Sequence, residues 1–170
     1  MKRVIIFIII LLAGIIDAYA DDDILIWGYI LDNITMESSD CTNYCWAACT
    51  QAILYAKEKE VEQCGLQVKK NQLDGSGSGC CCEELYKCDE SSGCNEENYL
   101  GYYQGSVEKI LSSYCISTEY STTLVDTSKF SEELSSGNPV VLAYESSGFG
   151  HFVLVVGYGY FEQYGGPCLI

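Results

Sequence analysis

The strongest hydrophobic patterning lies near the C-terminus. Residues 140–144 (Val-Val-Leu-Ala-Tyr) and 152–156 (Phe-Val-Leu-Val-Val) are unbroken apolar runs of strand length, and they read as buried strands. Residues 145–151 between them are rich in glycine and serine and read as a turn. Ahead of this pair, residues 128–135 set Phe130 and Leu134 on the inner face of a short helix, with Gly137 and Pro139 as its stop. Residues 106–114 form a similar short helix around Val107, Ile110 and Leu111, and residues 115–125 alternate as a strand. A longer helix is predicted over residues 45–59. Trp46, Ala48 or Cys49, Ile53 and Ala56 fall roughly on one face, and Lys57 to Glu60 make a polar end. Its first turns carry almost no charge, so they should be buried on most sides. Residues 23–31 read as a short strand or extended entry segment. The class is α+β: a helical N-terminal half, then a mainly β C-terminal half, with no internal repeat.

Two stretches stand apart from this pattern. Met1-Lys2-Arg3 is basic, residues 4–16 are apolar or glycine throughout, and Ala18-Tyr19-Ala20 offers small residues at a cleavage position. That order describes a secretory leader over residues 1–20, and its apolar run falls short of the roughly 20 residues that span a bilayer. The remaining domain is residues 21–170. The second stretch, residues 64–94, is polar and crowded with Cys64, Cys80, Cys81, Cys82, Cys88 and Cys94. With little to bury, it is better held by cross-links than by a core. Zinc is disfavoured, because this stretch contains neither paired C-x-x-C units nor a histidine. No cofactor is expected.

Charge narrows the partners. Losing Lys2, Arg3 and Asp17 with the leader takes the formal charge from −15 to −16. A surface this acidic repels phosphate backbones and anionic lipid, which excludes nucleic-acid binding and membrane association after cleavage. It fits a secreted or periplasmic protein, as do eleven cysteines. Asn33-Ile34-Thr35 is a sequon, meaningful only in a glycosylating host. Eleven is odd, so if Cys45 stays free the other ten can all pair.

Cys45 is the candidate nucleophile. It opens the predicted helix, where unpaired backbone N–H groups and the positive end of the dipole favour a thiolate. Ser38-Ser39-Asp40 supplies turn and cap chemistry just upstream. His151 is the only histidine, at the start of an apolar strand directly after Gly148-Phe149-Gly150. Imidazole is the side chain best suited to exchanging a proton with a thiol near neutral pH. Nucleophile and base on different elements is the usual assembly of a Cys–His pair.

Two motifs then carry a resemblance. Cys45-Trp46-Ala47-Ala48 at a helix start resembles the nucleophile motif of papain-like cysteine peptidases, closest to their bacterial secreted, double-glycine-peptidase-like branch. His151-Phe152-Val153-Leu154-Val155-Val156-Gly157-Tyr158-Gly159 resembles their histidine motif, and Asn138-Pro139-Val140-Val141 resembles the strand opening before it. The resemblance implies a papain-like fold, with a helical cysteine-rich lobe and an antiparallel β lobe meeting at a cleft. It implies a peptide or protein substrate and an acyl-enzyme on Cys45. His151 would be base and then acid, and the Cys45 backbone N–H half of an oxyanion hole.

The chain departs from the family pattern twice. The family's oxyanion glutamine falls at Ser39, and no glutamine occurs between Asp21 and Tyr44. The Asn or Asp that orients the histidine should follow the next strand. Residues 160–166 read as a loop, residues 167–170 begin that strand, and the sequence ends, so a C-terminal truncation is expected. Glu162 and Gln163 are poor substitutes in a loop. Three readings stay open: a secreted cysteine peptidase, a papain-like binding module with impaired catalysis, and a disulfide-rich interaction protein with Cys45 cross-linked. Cys41 and Cys49 are expected to bridge to the cysteine-rich segment.

Overall fold

The computed structural model describes residues 3–8, 25–77, 81–83, 88–89, 91, 93–101, 103–122, 127–146, 149–161 and 166–170. In chain order the elements are β1 (Arg3–Ile8), β2 (Leu25–Ile30), α1 (Cys45–Tyr55), α2 (Gln63–Asp74), α3 (Val107–Ser113), β3 (Ser117–Ser121), α4 (Thr127–Ser135), β4 (Val140–Ser146), β5 (Phe149–Val155), β6 (Gly157–Phe161) and β7 (Gly166–Leu169). They build an α+β fold with a four-stranded sheet, order β3-β1-β4-β5, and a three-stranded sheet, order β2-β6-β7.

The β4–β5 hairpin is antiparallel, with Val141 opposite Leu154 and Ala143 opposite Phe152. Its continuous apolar runs are explained by burial on both faces. Val141 and Phe152 join a cluster with Cys49, Ile53, Leu54, Leu66, Ile110 and Leu111. Val140, Leu142 and Val155 join a second cluster with Leu31, Phe130 and Leu134. Alternation along each strand thus splits the hairpin between two cores: α1 packs on β5 from one side, and α4 contacts β4 from the other. The strands also run further than expected. β4 reaches Ser146 and β5 begins at Phe149, so most of the glycine- and serine-rich segment is ladder rather than turn. His151 therefore stands inside β5.

The second sheet is antiparallel, pairing Gly28 with Gly159 and Tyr158 with Leu169. Its ladder continues through Leu31 N–H to Val156 O at 2.8 Å. The first sheet departs from the antiparallel expectation at one strand. Arg3–Ile8, assigned to a leader by its sequence, runs as β1 between β3 and β4 and parallel to both. No helix among the described residues is long and apolar enough to cross a membrane.

Helix ends follow local chemistry. Ser106 caps α3 by accepting from Lys109 N–H. At its other end Ile116 N–H reaches Leu111 O and Cys115 N–H reaches Ser112 O, a Schellman closure that holds Cys115 at φ 64°. The equivalent position after α4 is Gly137, at φ 79°.

The polar, cysteine-rich segment contains a helix that its hydrophobic pattern does not show. The buried residues of α2 include Gln63, Gln67, Lys70 and Asn71, which are held by hydrogen bonds rather than by apolar packing, although Gln67 Oε1 has no partner among the described residues. Among the described residues three disulfides hold this region: Cys41–Cys88, Cys64–Cys82 and Cys81–Cys94. Cys41 bridges as expected. Cys49 does not: it is fully buried on α1 with a free thiol, and Cys115 is free and exposed. A residue in the middle of a helix packed into the core has no route to the polar segment, so the expectation that all cysteines but Cys45 pair is corrected.

Candidate active site

Cys45 is the first residue of α1, and its thiol is free and partly buried. Trp46 through Leu54 are all buried, so the helix is a rod embedded in the core with only its N-terminal end near solvent. The N-cap position is Tyr44, which gives no side-chain cap, so the first backbone N–H groups keep no intrahelical acceptor. One turn along, burial first and the nearby Cys45 charge second push the Cys49 thiol up to about 12. Cys49 is thus an inert neighbour.

The residues just before and after Cys45 are clamped to a strap formed by residues 93–100. Asn43 N–H donates to Asn95 Oδ1 at 3.0 Å, and Asn43 Nδ2 donates to Asn95 O at 2.8 Å. Asn95 Nδ2 returns a bond to Thr42 Oγ1 at 2.9 Å. Trp46 Nε1 donates to Glu96 O at 3.1 Å, and the fully buried Tyr44 hydroxyl donates to Cys94 O at 2.5 Å. Burial, and then the Asp40 charge, push the Tyr44 phenol up to about 12, so it stays a donor at any ordinary pH. Behind the strap, α2 supplies Lys70, bonded to Glu96 at 2.5 Å and Asp74 at 3.2 Å, and Asn71 Nδ2, bonded to Gly93 O at 3.0 Å. The Cys81–Cys94 disulfide ties the strap's start to the same region. The buried polar face of α2 therefore supports the strap, and the strap supports the segment around Cys45. The sequence reading missed this strap, because polar side chains bonded to main chain leave no hydrophobic period to detect.

Opposite the strap lies the hairpin. A cavity of about 300 Å³ is lined by Cys45 and Trp46, by Asn98 and Leu100 of the strap, and by Tyr144 and His151 of the hairpin. The structure thus brings together the two residues that the sequence singles out. Phe152 lines it as well, although it faces the opposite side of β5 from His151, so the cavity wraps the end of the hairpin. The His151 ring stands edge-on to Tyr144, its register partner, with centroids 5.7 Å apart and planes at 73°. No hydrogen bond joins Cys45 to His151 among the described residues, a looseness common in catalytic pairs without ligand.

Ser39 is exposed and does not line this cavity, so it is not brought to the pair. Gln63 is consumed elsewhere. Its Oε1 accepts from Asp40 N–H, and its Nε2 donates to Ser38 O and Gln51 Oε1. Glu162 and Gln163 lie outside the described residues. A cluster of Glu62, Cys64 and Cys82 has metal-ligand spacing, but Cys64 and Cys82 are joined in a disulfide and offer no thiolate.

No curated protein matches the chain, and no solved structure does. A family model does, over residues 31–164, a span that contains Cys45, the strap and His151. With that match across most of its length, the chain belongs to the Peptidase_C39 like family, a family of papain-like cysteine peptidases.

Proposed function

We propose that this protein is an extracytoplasmic cysteine peptidase in which Cys45 and His151 cleave peptide bonds through an acyl-enzyme. The observation that carries this reading is a free cysteine at a helix N-terminus sharing one cavity with the only histidine of the chain. In the reaction His151 takes the Cys45 proton, and the thiolate attacks the substrate carbonyl carbon. The oxyanion so formed is met by the Cys45 backbone N–H. As the C–N bond breaks, His151 returns the proton to the leaving amine and a thioester remains. Water, deprotonated by His151, then attacks the thioester; the acid product leaves and the thiol is restored. With Ser39 away from the cavity and Gln63 engaged, neither supplies the oxyanion with the side-chain donor that the family's glutamine would. Loss of one such donor costs about 10²–10³ in rate, so turnover should be slow.

The three disulfides fit an oxidising compartment, and the order of residues 1–20 supports export with cleavage after Ala20. The alternative in which Cys45 is cross-linked loses its support, because that thiol is free. The disulfide-intact protein should hydrolyse members of an internally quenched peptide library, and Cys45→Ala and His151→Ala should not. Hydrolysis that persists in Cys45→Ala would sink this assignment.

A further inference from the structure

The strap presents two exposed side chains at the cavity. Glu97 and Tyr99 both line it, together with Cys45, Tyr144 and His151. Tyr99 is 61% exposed although its backbone is anchored: its N–H donates to Asn98 Oδ1 at 2.7 Å and to the Tyr103 hydroxyl at 2.8 Å. The Tyr103 ring meets the Tyr99 ring edge-on, with centroids 6.0 Å apart. The Tyr99 hydroxyl donates to Glu97 Oε2 at 3.4 Å. A carboxylate and an aromatic ring thus stand side by side on a fixed stretch of backbone, open to solvent and in the cavity of the nucleophile.

The chain supplies no cation to this pair. Glu97 forms no ion pair among the described residues, and the described residues that line the cavity include neither lysine nor arginine. The wider surface is acidic as well, with 24 Asp and Glu against 9 Lys and Arg. A cationic side chain arriving here would gain a charge-assisted hydrogen bond from the carboxylate and a π face from the ring. An anionic one would be repelled by Glu97 and by the field of the whole protein. We propose that Glu97 and Tyr99 form a subsite for a lysine or arginine side chain of the substrate, so that the protein selects basic peptides. This inference deepens the peptidase reading above and rests on it. The two residues set specificity and take no part in breaking the bond.

The test is a set of internally quenched peptides in which lysine, its uncharged near-isostere norleucine, and glutamate are scanned through the positions on both sides of the cleaved bond. At one position or more, kcat/KM for lysine should exceed that for norleucine by about tenfold at low salt, with glutamate lowest. Glu97→Gln, which keeps an acceptor for the Tyr99 hydroxyl, should bring the lysine-to-norleucine ratio close to one. Tyr99→Leu should lower the ratio several-fold. Glu119→Gln removes the same charge from a carboxylate that does not line the cavity, and it should leave the ratio as it is. The inference is overturned if lysine is preferred at no position, or if the preference survives Glu97→Gln. It is also overturned if Glu119→Gln lowers the ratio as much, which would assign the preference to net charge. Absence of hydrolysis of every peptide by the parent protein would instead remove the peptidase reading, and this inference with it.

Discussion

Tyr144 and His151 sit directly opposite each other in the β4–β5 ladder, with ring centroids 5.7 Å apart and edge-to-face. Among the described residues His151 has no hydrogen-bonded partner, so this ring contact is what orients the imidazole. Edge-to-face aromatic pairs contribute about 0.5–1.5 kcal/mol beyond burial. Tyr144→Ala should therefore slow alkylation of Cys45 by several-fold, and Tyr144→Phe, which keeps the ring, should change it little. Equal rates in all three proteins would remove Tyr144 from this role.

The strap offers a second test. Lys70 is nearly buried, and its ammonium is held by Glu96 and Asp74. At Asp74 burial acts to raise the carboxyl, but the Ser76 hydrogen bonds and Lys70 outweigh it and hold the group below its usual range. A carboxyl with a lowered folded pKa stabilises above its unfolded value, and that contribution is lost as pH falls through the folded one. Stability should thus drop on acidification below about pH 4. Lys70→Met should shrink that drop and also reduce hydrogen-exchange protection of residues 93–100. Unchanged protection there would contradict the support that α2 gives the strap.

Cys115 sits at the left-handed closing position of α3 with an exposed free thiol. A left-handed non-glycine residue costs about 1–2 kcal/mol. Cys115→Gly should raise stability by about 1 kcal/mol in urea unfolding and remove an accessible thiol without affecting Cys45. A destabilised Cys115→Gly protein would show that the thiol, and not the backbone, matters there.

How much of this was legible in the sequence depends on what holds each element. The β4–β5 hairpin and helices α3 and α4 were readable because apolar side chains at strand or helix period are what bury them. That Cys45 and His151 line one cavity agrees with the positions the sequence gives them, at a helix start and on an apolar strand. α2 was not readable, because Gln63, Gln67, Lys70 and Asn71 bury polar groups through hydrogen bonds, which leave no hydrophobic period to read. The same reason hid the strap. Cys49 was misread because a cysteine in a secreted chain suggests a bridge, whereas its place in the helix decides that it packs.

The N-terminus gives a fourth prediction. β1 lies within residues 1–20, whereas the family match begins at residue 31. A chain starting at Asp21 should fold, form the Cys41–Cys88, Cys64–Cys82 and Cys81–Cys94 bridges, and keep a reactive Cys45. Sequencing of the exported protein should read Asp-Asp-Asp first. A chain starting at Asp21 that remains unfolded under oxidising conditions would make β1 part of the domain and refute the leader.

In the proposed mechanism Cys45 and His151 act as one unit. It is tested most directly by the rate of iodoacetamide addition to Cys45, followed by peptide mapping in the disulfide-intact Cys115→Gly protein across pH 4–10, with and without His151→Ala. Of Cys45 and Cys49, Cys45 alone should be labelled. Its rate at neutral pH should fall at least about tenfold without the imidazole, and the acidic limb of the profile should move upward in pH. Identical profiles with and without His151, or a Cys45 that resists labelling throughout, would contradict it.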